Sequence, residues 1–426
     1  MTRRRVGIII TPNQEDVNWY FDCIEVWVLS VSGFMDVMNH GVADHTILCR
    51  CGDEAGPTLV VVGSVHGNEP SGARALRRIA SSLATMEVGL FGRVVFLAGN
   101  IRALKRNVRF IDSDLNRSWT EENVAVIEST IASNGTPSHA EDVELSELLA
   151  VFSEVLGTAR NEVFVLDLHT TSAQGLPFAT VGDTLRNRHF AQMFPVTMIL
   201  GIEEQLEGTM LEYLNNKGAV TLGFEGGQHD SGEAIANHEA LIWLAMANAG
   251  IVAAKDIPDL ETHRHNLKIA SGSTRIFEIR HREAIADDDD FVMNPGFNNF
   301  DAIKRGQTLA QNRRGPIMSV ESGVIMMPLY QKKGEDGFFI GREVAPFWLR
   351  LSEILRTLGL ARWLLILPGV KRHPTDGDSL IVNTAVARFF PLQIFHLLGF
   401  RKRVWERNAL VVSRRKHDTE SPFVSA

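Results

Sequence analysis

Apolar and polar positions fall into three successive patterns along this chain. Up to about residue 257, short β-branched runs alternate with longer stretches of helical period. Thr58 to Val65 reads TLVVVGSV, continuous and β-branched, which predicts a strand covered on both faces. Glu69 to Leu83 then puts Ala73, Leu76, Ile79 and Ala80 on one helical face, with Pro70 in the first turn. Val94 to Ala98 predicts a short strand ending at Gly99-Asn100. Glu141 to Leu156 predicts a helix through Leu145, Leu148, Leu149, Phe152 and Leu156. Two more strands, Glu162 to Leu168 and Ala219 to Phe224, run into His169 and Glu225, and Glu233 to Ala249 predicts a long helix. Such alternation implies an α/β domain over residues 1–257, with a mixed, mostly parallel sheet flanked by helices.

The pattern changes in residues 258–345. Turn signals such as Asn294-Pro295-Gly296, Gly315-Pro316 and Ser322-Gly323 separate short runs, Ile317 to Val320 and Val324 to Met327 among them. That predicts a small all-β domain, a barrel or sandwich. The acidic run Asp287 to Asp290 lacks EF-hand spacing and reads as a solvated loop. Residues 346–426 turn apolar again and predict a helical C-terminal extension, Phe347 to Leu367 and then Ala385 to Phe400, followed by Arg401, Lys402, Arg403 and Arg407. The pieces are short and interrupted by proline. Packing on the other domains or in a homo-oligomer is therefore preferred over peripheral contact with a membrane surface.

Composition narrows the classes. With 45% hydrophobic and 22% charged residues the chain is of ordinary soluble type. Its net charge of −8 argues against a nucleic-acid partner, which would need a basic face. Three cysteines, Cys23, Cys49 and Cys51, do not make a disulfide framework and fit a reducing, cytoplasmic setting. Cys49 and Cys51 read as two positions on one strand face rather than a metal pair. No window is long and apolar enough for a membrane span, and no secretory signal follows the basic N-terminus.

The candidate chemistry gathers at strand ends. His66-Gly67-Asn68-Glu69 follows the first buried strand, and Asp167-Leu168-His169 closes another. Two imidazoles and a carboxylate with a fourth position open is how proteins hold catalytic zinc. Gly67 lets the chain turn tightly between the first two. Asn100 and Glu225 end two further strands, and parallel sheets bind ligands outside the carboxyl ends of their strands. Arg109 to Arg117 packs two arginines, two aspartates and an asparagine into one stretch, RFIDSDLNR.

HGNE, RFIDSDLNR, DLHTT and FEGG, in that order, resemble the succinylglutamate desuccinylase/aspartoacylase family of the zinc carboxypeptidase superfamily. The resemblance is strong over residues 58–250. PGFNNFDAIKRGQTLA and VIMMPLYQKKGEDGFF look like the carboxy-terminal part of bacterial members. The resemblance implies one zinc ion per chain, bound by His66, Glu69 and His169. It implies Glu225 as general base, Arg109 as the group that polarises the scissile carbonyl, and Asn116 and Arg117 as the clamp for a substrate carboxylate. Asp167 would orient its neighbours, and Asn100 and Asp114 would support the loops. Apart from the resemblance, His229 lies four residues past Glu225, near enough to line the pocket. The arginine that aspartoacylase carries ahead of its catalytic glutamate is absent; Asn215 stands near its place and Lys217 is the closest cation.

The function so implied is a zinc-dependent deacylase for a small N-acyl amino acid or related linear amide. The rivals are a metallocarboxypeptidase acting on short peptides, and a scaffolding or membrane-peripheral protein with a decayed enzyme domain. Retention of all three ligands with Arg109 and Glu225 argues against decay. Neither a Gly-x-Ser-x-Gly elbow, a Walker loop, nor HExxH is present.

Overall fold

The computed structural model describes residues 28–29, 45–229, 231–331, 334–383, 392–406 and 409–424. The apolar run Val6 to Ile10, Cys23, Arg407 and the first turns of the helix expected from Ala385 lie outside the described residues.

The central sheet contains β1 (Val28–Leu29), β2 (Thr46–Cys51), β3 (Asp53–Gly63), β4 (Phe91–Ala98), β5 (Val163–Thr171), β6 (Phe178–Val181), β7 (Thr197–Leu200), β8 (Val220–Gln228) and β9 (Ile276–Ala284). Beyond these come β10 (Val292–Met293), β11 (Ala302–Ile303), β12 (Thr308–Asn312), β13 (Gly315–Met318), β14 (Gly323–Met326) and β15 (Asp336–Glu343). The twelve-stranded order is β1-β2-β4-β3-β5-β8-β6-β7-β9-β15-β14-β11, while β10-β12-β13 form a separate sheet. The middle block β4-β3-β5-β8 is parallel throughout.

Alternation along β3 shows why its run is unbroken. Leu59 and Val61 face one hydrophobic core with Leu76, Ile79 and Leu241; Val60 and Val62 face a second core with Leu148, Phe152 and Leu214. The first is covered by helices Ser71–Thr85 and Gly232–Asn248, the second by helices Ala140–Thr158 and Met210–Asn216. Cys49 and Cys51 both face the second core, as two positions on one strand face should.

The strands after residue 258 share a hydrophobic core of their own, in which Met293 and Leu309 of the β10-β12-β13 sheet meet Ile303, Ile325, Phe338 and Ile340 of β11, β14 and β15, and they also extend the central sheet. Strand β9 pairs in parallel with β7, and β15, β14 and β11 extend the central sheet antiparallel from there. The physical reason is edge protection: β7 would otherwise present an unpaired edge, which β9 covers.

The C-terminal segment begins with helix Pro346–Thr357 and the 3-10 turn Leu360–Ile366, ending before Pro368. The expected helices share this segment with a four-stranded antiparallel sheet that periodicity did not foretell: β16 (Val370–Arg372), β17 (Ser379–Asn383), β19 (Ala409–Ser413) and β18 (Lys402–Glu406). Buried Asp183 joins this segment to the body. Arg188 Nε of the body lies 2.6 Å away, Arg356 Nη2 lies at 3.2 Å, and Arg401 pairs with it as well. Arg415 adds a bridge to Glu204 at 2.8 Å.

Candidate active site

Sheet register sets the site. Gly63, the last residue of β3, is level with Ala98 on β4 and Leu168 on β5, and His169 is level with Glu225 on β8. The carboxyl ends of three adjacent strands therefore deliver the HGNE turn, His169 and Glu225 to one place.

The turn itself is built by strain and close packing. Ser64 is buried and holds the left-handed conformation (φ 64°), with its hydroxyl donating to Glu69 O at 2.9 Å. Such a conformation in a non-glycine residue is costly and persists where its surroundings enforce it. The amide of Glu69 donates to His66 O at 3.1 Å, closing a turn that points both side chains the same way. Gly67 is required by proximity rather than by its backbone angles: a Cβ there would lie 2.2 Å from the carbonyl carbon of Ala103.

The two oxygens of Glu69 split between the two imidazoles. Oε1 lies 2.9 Å from His66 Nδ1, and Oε2 lies 3.3 Å from His169 Nδ1. Each ring turns its other nitrogen to a second carboxylate: His66 Nε2 to Asp114 at 3.1 Å and His169 Nε2 to Asp167 at 2.7 Å. Thr170 N donates to Glu69 Oε2 at 2.8 Å. The ligating atoms of His66, Glu69 and His169 all lie within 4.8 Å of one another. Burial would raise the Glu69 carboxyl, but the two imidazoles hold it well below the usual range.

Arg109 is held by Asp114 Oδ2 through Nη2 at 2.9 Å and Nε at 3.2 Å, and its Nη1 lies 3.5 Å from Glu69. Glu225 is buried. Burial pushes its carboxyl up to about 8, opposed by His169 and Arg109 and reinforced by Glu69 and Asp167. Among the described residues its Oε2 has no partner, and neither does Asp167 Oδ1. Buried polar atoms left without partners call for an explanation, of which an absent ion or ligand is one.

Charge supports the same reading. Four carboxylates (Glu69, Asp114, Asp167, Glu225) crowd around two imidazoles and Arg109, and a divalent cation held there would stabilise the ionised carboxylates. Two imidazole nitrogens and a carboxylate, each imidazole backed by an outer carboxylate, are a donor set that fits zinc.

All seven site residues expected from sequence, His66, Glu69, Arg109, Asn116, Arg117, His169 and Glu225, line one cleft. Asn116 Oδ1 accepts from Met210 N at 2.9 Å. Arg117 reaches Asp336 at 3.0 Å and Glu335 at 3.3 Å, both at the start of β15 or just before it. Asn215 is buried against Asn187 and Ala219, and Lys217 pairs with exposed Glu121; neither lines the cleft. His229 bonds Thr170 Oγ1 at 2.7 Å and is not among the lining residues.

Sequence reasoning missed four contributors. Glu141 is fully buried and accepts from the amides of Ile111, Asp112 and Ser113 and from Asn100 Nδ2, which fixes the loop carrying Arg109 and Asp114. It reads in sequence only as an acidic first-turn residue. Glu203 lines the cleft, and burial pushes its carboxyl up to about 7. Asp336 and Phe339 enter from β15, brought in by long-range pairing.

Residues 55–246 match the family described as the Succinylglutamate desuccinylase/Aspartoacylase catalytic domain. An N-acyl-aromatic-L-amino acid amidohydrolase (carboxylate-forming) of Xenopus tropicalis is 33% identical over 130 residues, 30% of this chain and 38% of that protein. The succinylglutamate desuccinylase of Pseudomonas paraeruginosa is 39% identical over 62 residues, 15% of this chain and 19% of that protein. The chain thus matches well under half the length of these relatives. Among solved structures, the Ectoine utilization protein EutE (DoeB) from Ruegeria pomeroyi superposes with a TM-score of 0.50 at 18% identity, covering 69% of this chain and 87% of that one, a likeness of fold. Residues 55–246 are thus similar, in sequence, to a succinylglutamate desuccinylase/aspartoacylase catalytic domain.

Proposed function

We propose that this protein is a zinc-dependent hydrolase that cleaves the amide bond of a small N-acyl amino acid or related linear amide. The observation that carries the reading is the convergence of His66 Nδ1 and His169 Nδ1 on Glu69, with an unpartnered Glu225 carboxylate oxygen in the same cleft.

His66, Glu69 and His169 would hold the ion, one per chain. When bound, zinc supplies a hydrolytic nucleophile at neutral pH and polarises a carbonyl. Asp114 and Asp167 hold the two rings by Nε2, keeping both Nδ1 atoms turned inward. Glu225 takes a proton from the attacking water and returns it to the nitrogen of the leaving amine, so the products are a carboxylic acid and a free amine. A carboxyl poised near neutrality suits a group that both accepts and donates. Arg109, oriented by Asp114, offers N–H groups to the carbonyl oxygen as it gains charge. Asn116 and Arg117 bind the carboxylate of the amino-acid half, which must share or replace the contacts of Arg117 with Asp336 and Glu335. Ile202, Leu206, Met327 and Phe339 line part of the cleft beside Thr180, Glu203 and Gln331, and offer an apolar patch to an acyl group or side chain. Free Cys49 and Cys51 suit a cytoplasmic setting.

Two measurements test this. Metal analysis of the purified protein should return about one zinc per chain, and amine release from a panel of N-acyl amino acids should stop on chelation. Glu225→Ala should keep the zinc and lose roughly 10²–10⁴-fold in turnover. Full activity in metal-free protein, or unchanged turnover in the variant, would overturn the reading.

A further inference from the structure

Helix Pro346–Thr357 is inverted with respect to water. Its inner stripe buries Leu349, Ser352 and Arg356, with Arg356 on Asp183 and Ser352 accepting from Arg188 at 3.2 Å. Its outer stripe follows helical spacing, and on it Phe347, Ile354 and the capping Leu358 are 65%, 56% and 61% exposed. Trp348 sits edge-on to Phe347, ring centroids 5.3 Å apart, and is half exposed. The following 3-10 turn exposes Trp363 and Ile366, which are three residues apart and so share a side. A helix meant to face water carries the opposite arrangement. Concentrated exposed apolar surface marks an interaction site.

Charge selects the occupant. Arg350, Arg362, Lys371 and Arg372 are exposed, and none has an ion pair among the described residues. Glu353 is the one acid between residues 346 and 372, and it is paired with His189 at 3.1 Å. These exposed cations and aromatics fall within residues 346–372 of a chain of net charge −8. A second copy across a two-fold axis would bring two such sets of cations into one interface, with Glu353 the one acid of residues 346–372 to offset them. An anionic bilayer meets them with opposite charge, and tryptophan and phenylalanine beside arginine and lysine are the composition of the bilayer interface. The 12-residue helix spans about 18 Å, short of the ~30 Å hydrocarbon core, so it would lie on the surface and not cross it.

We propose that residues 346–372 form a peripheral docking surface for an anionic lipid bilayer. The inner face of the helix packs on the body, and the outer face meets headgroups and the upper acyl chains. The experiment is flotation of the full chain with vesicles of phosphatidylcholine alone or with about one-third phosphatidylserine. The protein should float with the anionic vesicles at low salt, remain behind with the neutral ones, and be released as salt screens the charges. Trp348→Ser/Trp363→Ser should lower the bound fraction about tenfold with an unchanged melting temperature, because both side chains are already exposed. No flotation at low salt, or undiminished flotation of the double variant, would overturn the proposal; the first is also what a patch covered by another segment of this chain would give. A doubling of mass in sedimentation, abolished by the same double variant, would assign the surface to a second copy instead and equally overturn it.

Discussion

Two clusters in this molecule share one set of side-chain types and differ in what they leave open. His66, Glu69 and His169 lie within 4.8 Å of one another, and so do His45, Glu144 and Glu147. In the second cluster the protein supplies the partners. His45 Nδ1 bonds Ala98 O at 2.7 Å, and its Nε2 lies 3.0 Å from both glutamates. Glu144 also accepts from the amides of Ile101 and Arg102, and the Arg102 guanidinium bridges Glu144 and Glu147. Two acids face two bases, and the cluster clasps helix Ala140–Thr158 to the end of β4. In the first cluster carboxylates outnumber cations, and Glu225 and Asp167 each keep a buried oxygen without a partner. Donor type alone does not make a metal site; unspent valence does.

The sharpest way to break the comparison is to delete one histidine from each cluster. His169→Ala should remove both zinc and amidase activity while leaving a folded protein. His45→Ala should keep the zinc of the folded fraction and cost about 3–5 kcal/mol, since it strands buried Glu144 without one of its partners. Metal content and urea unfolding of the two variants decide it. Loss of zinc in His45→Ala with His169→Ala still loaded would invert the assignment.

A smaller effect separates the inner ligands from their supports. Asp167→Asn keeps the shape of the side chain and weakens its hold on His169 Nε2. It should lower metal affinity or activity by about 10–100-fold. Glu147→Gln, the matching change in the clasp, should leave both near wild type. Competition with a chelator reads the affinity, and equal losses in the two variants would dissolve the distinction.

Much of this contrast was legible in the sequence. The buried strands and the order HGNE, DLH and FEGG placed His66, Glu69, His169 and Glu225 at strand ends, because sheet period and strand termination are local properties. Parallel register then had only one way to align them. The clasp was not legible: His45, Arg102 and Glu147 belong to different elements, with no motif to join them. The same holds for Asp336 against Arg117, which depends on β15 crossing to β9, and for Glu141, whose four donors come from the fold and not from its neighbours in sequence. The C-terminal sheet escaped for a related reason. Its strands are short, and antiparallel pairing between β17 and β19 is non-local.

The smallest expected effect is the dependence on pH that the clasp adds to stability. Burial alone would lower the pKa of His45, but Glu144 and Glu147 outweigh it and push it up to about 9. A histidine raised from 6.5 stabilises the fold fully below about pH 6.5, and that contribution is lost as pH rises through about 9. The partner acids act at the other end. Burial would raise Glu147, yet His45 and Arg102 hold it at about 2, so its contribution is present above its ordinary 4.5 and lost as pH falls through about 2. These shifts describe the same contacts from two sides and count once. The clasp is therefore strongest between about pH 4.5 and 6.5. The stability gap between wild type and His45→Gln should be widest in that window and narrow steadily from pH 6.5 to 9. A gap that stays constant across that range would mean His45 is neutral in the fold and holds the helix by hydrogen bonding alone.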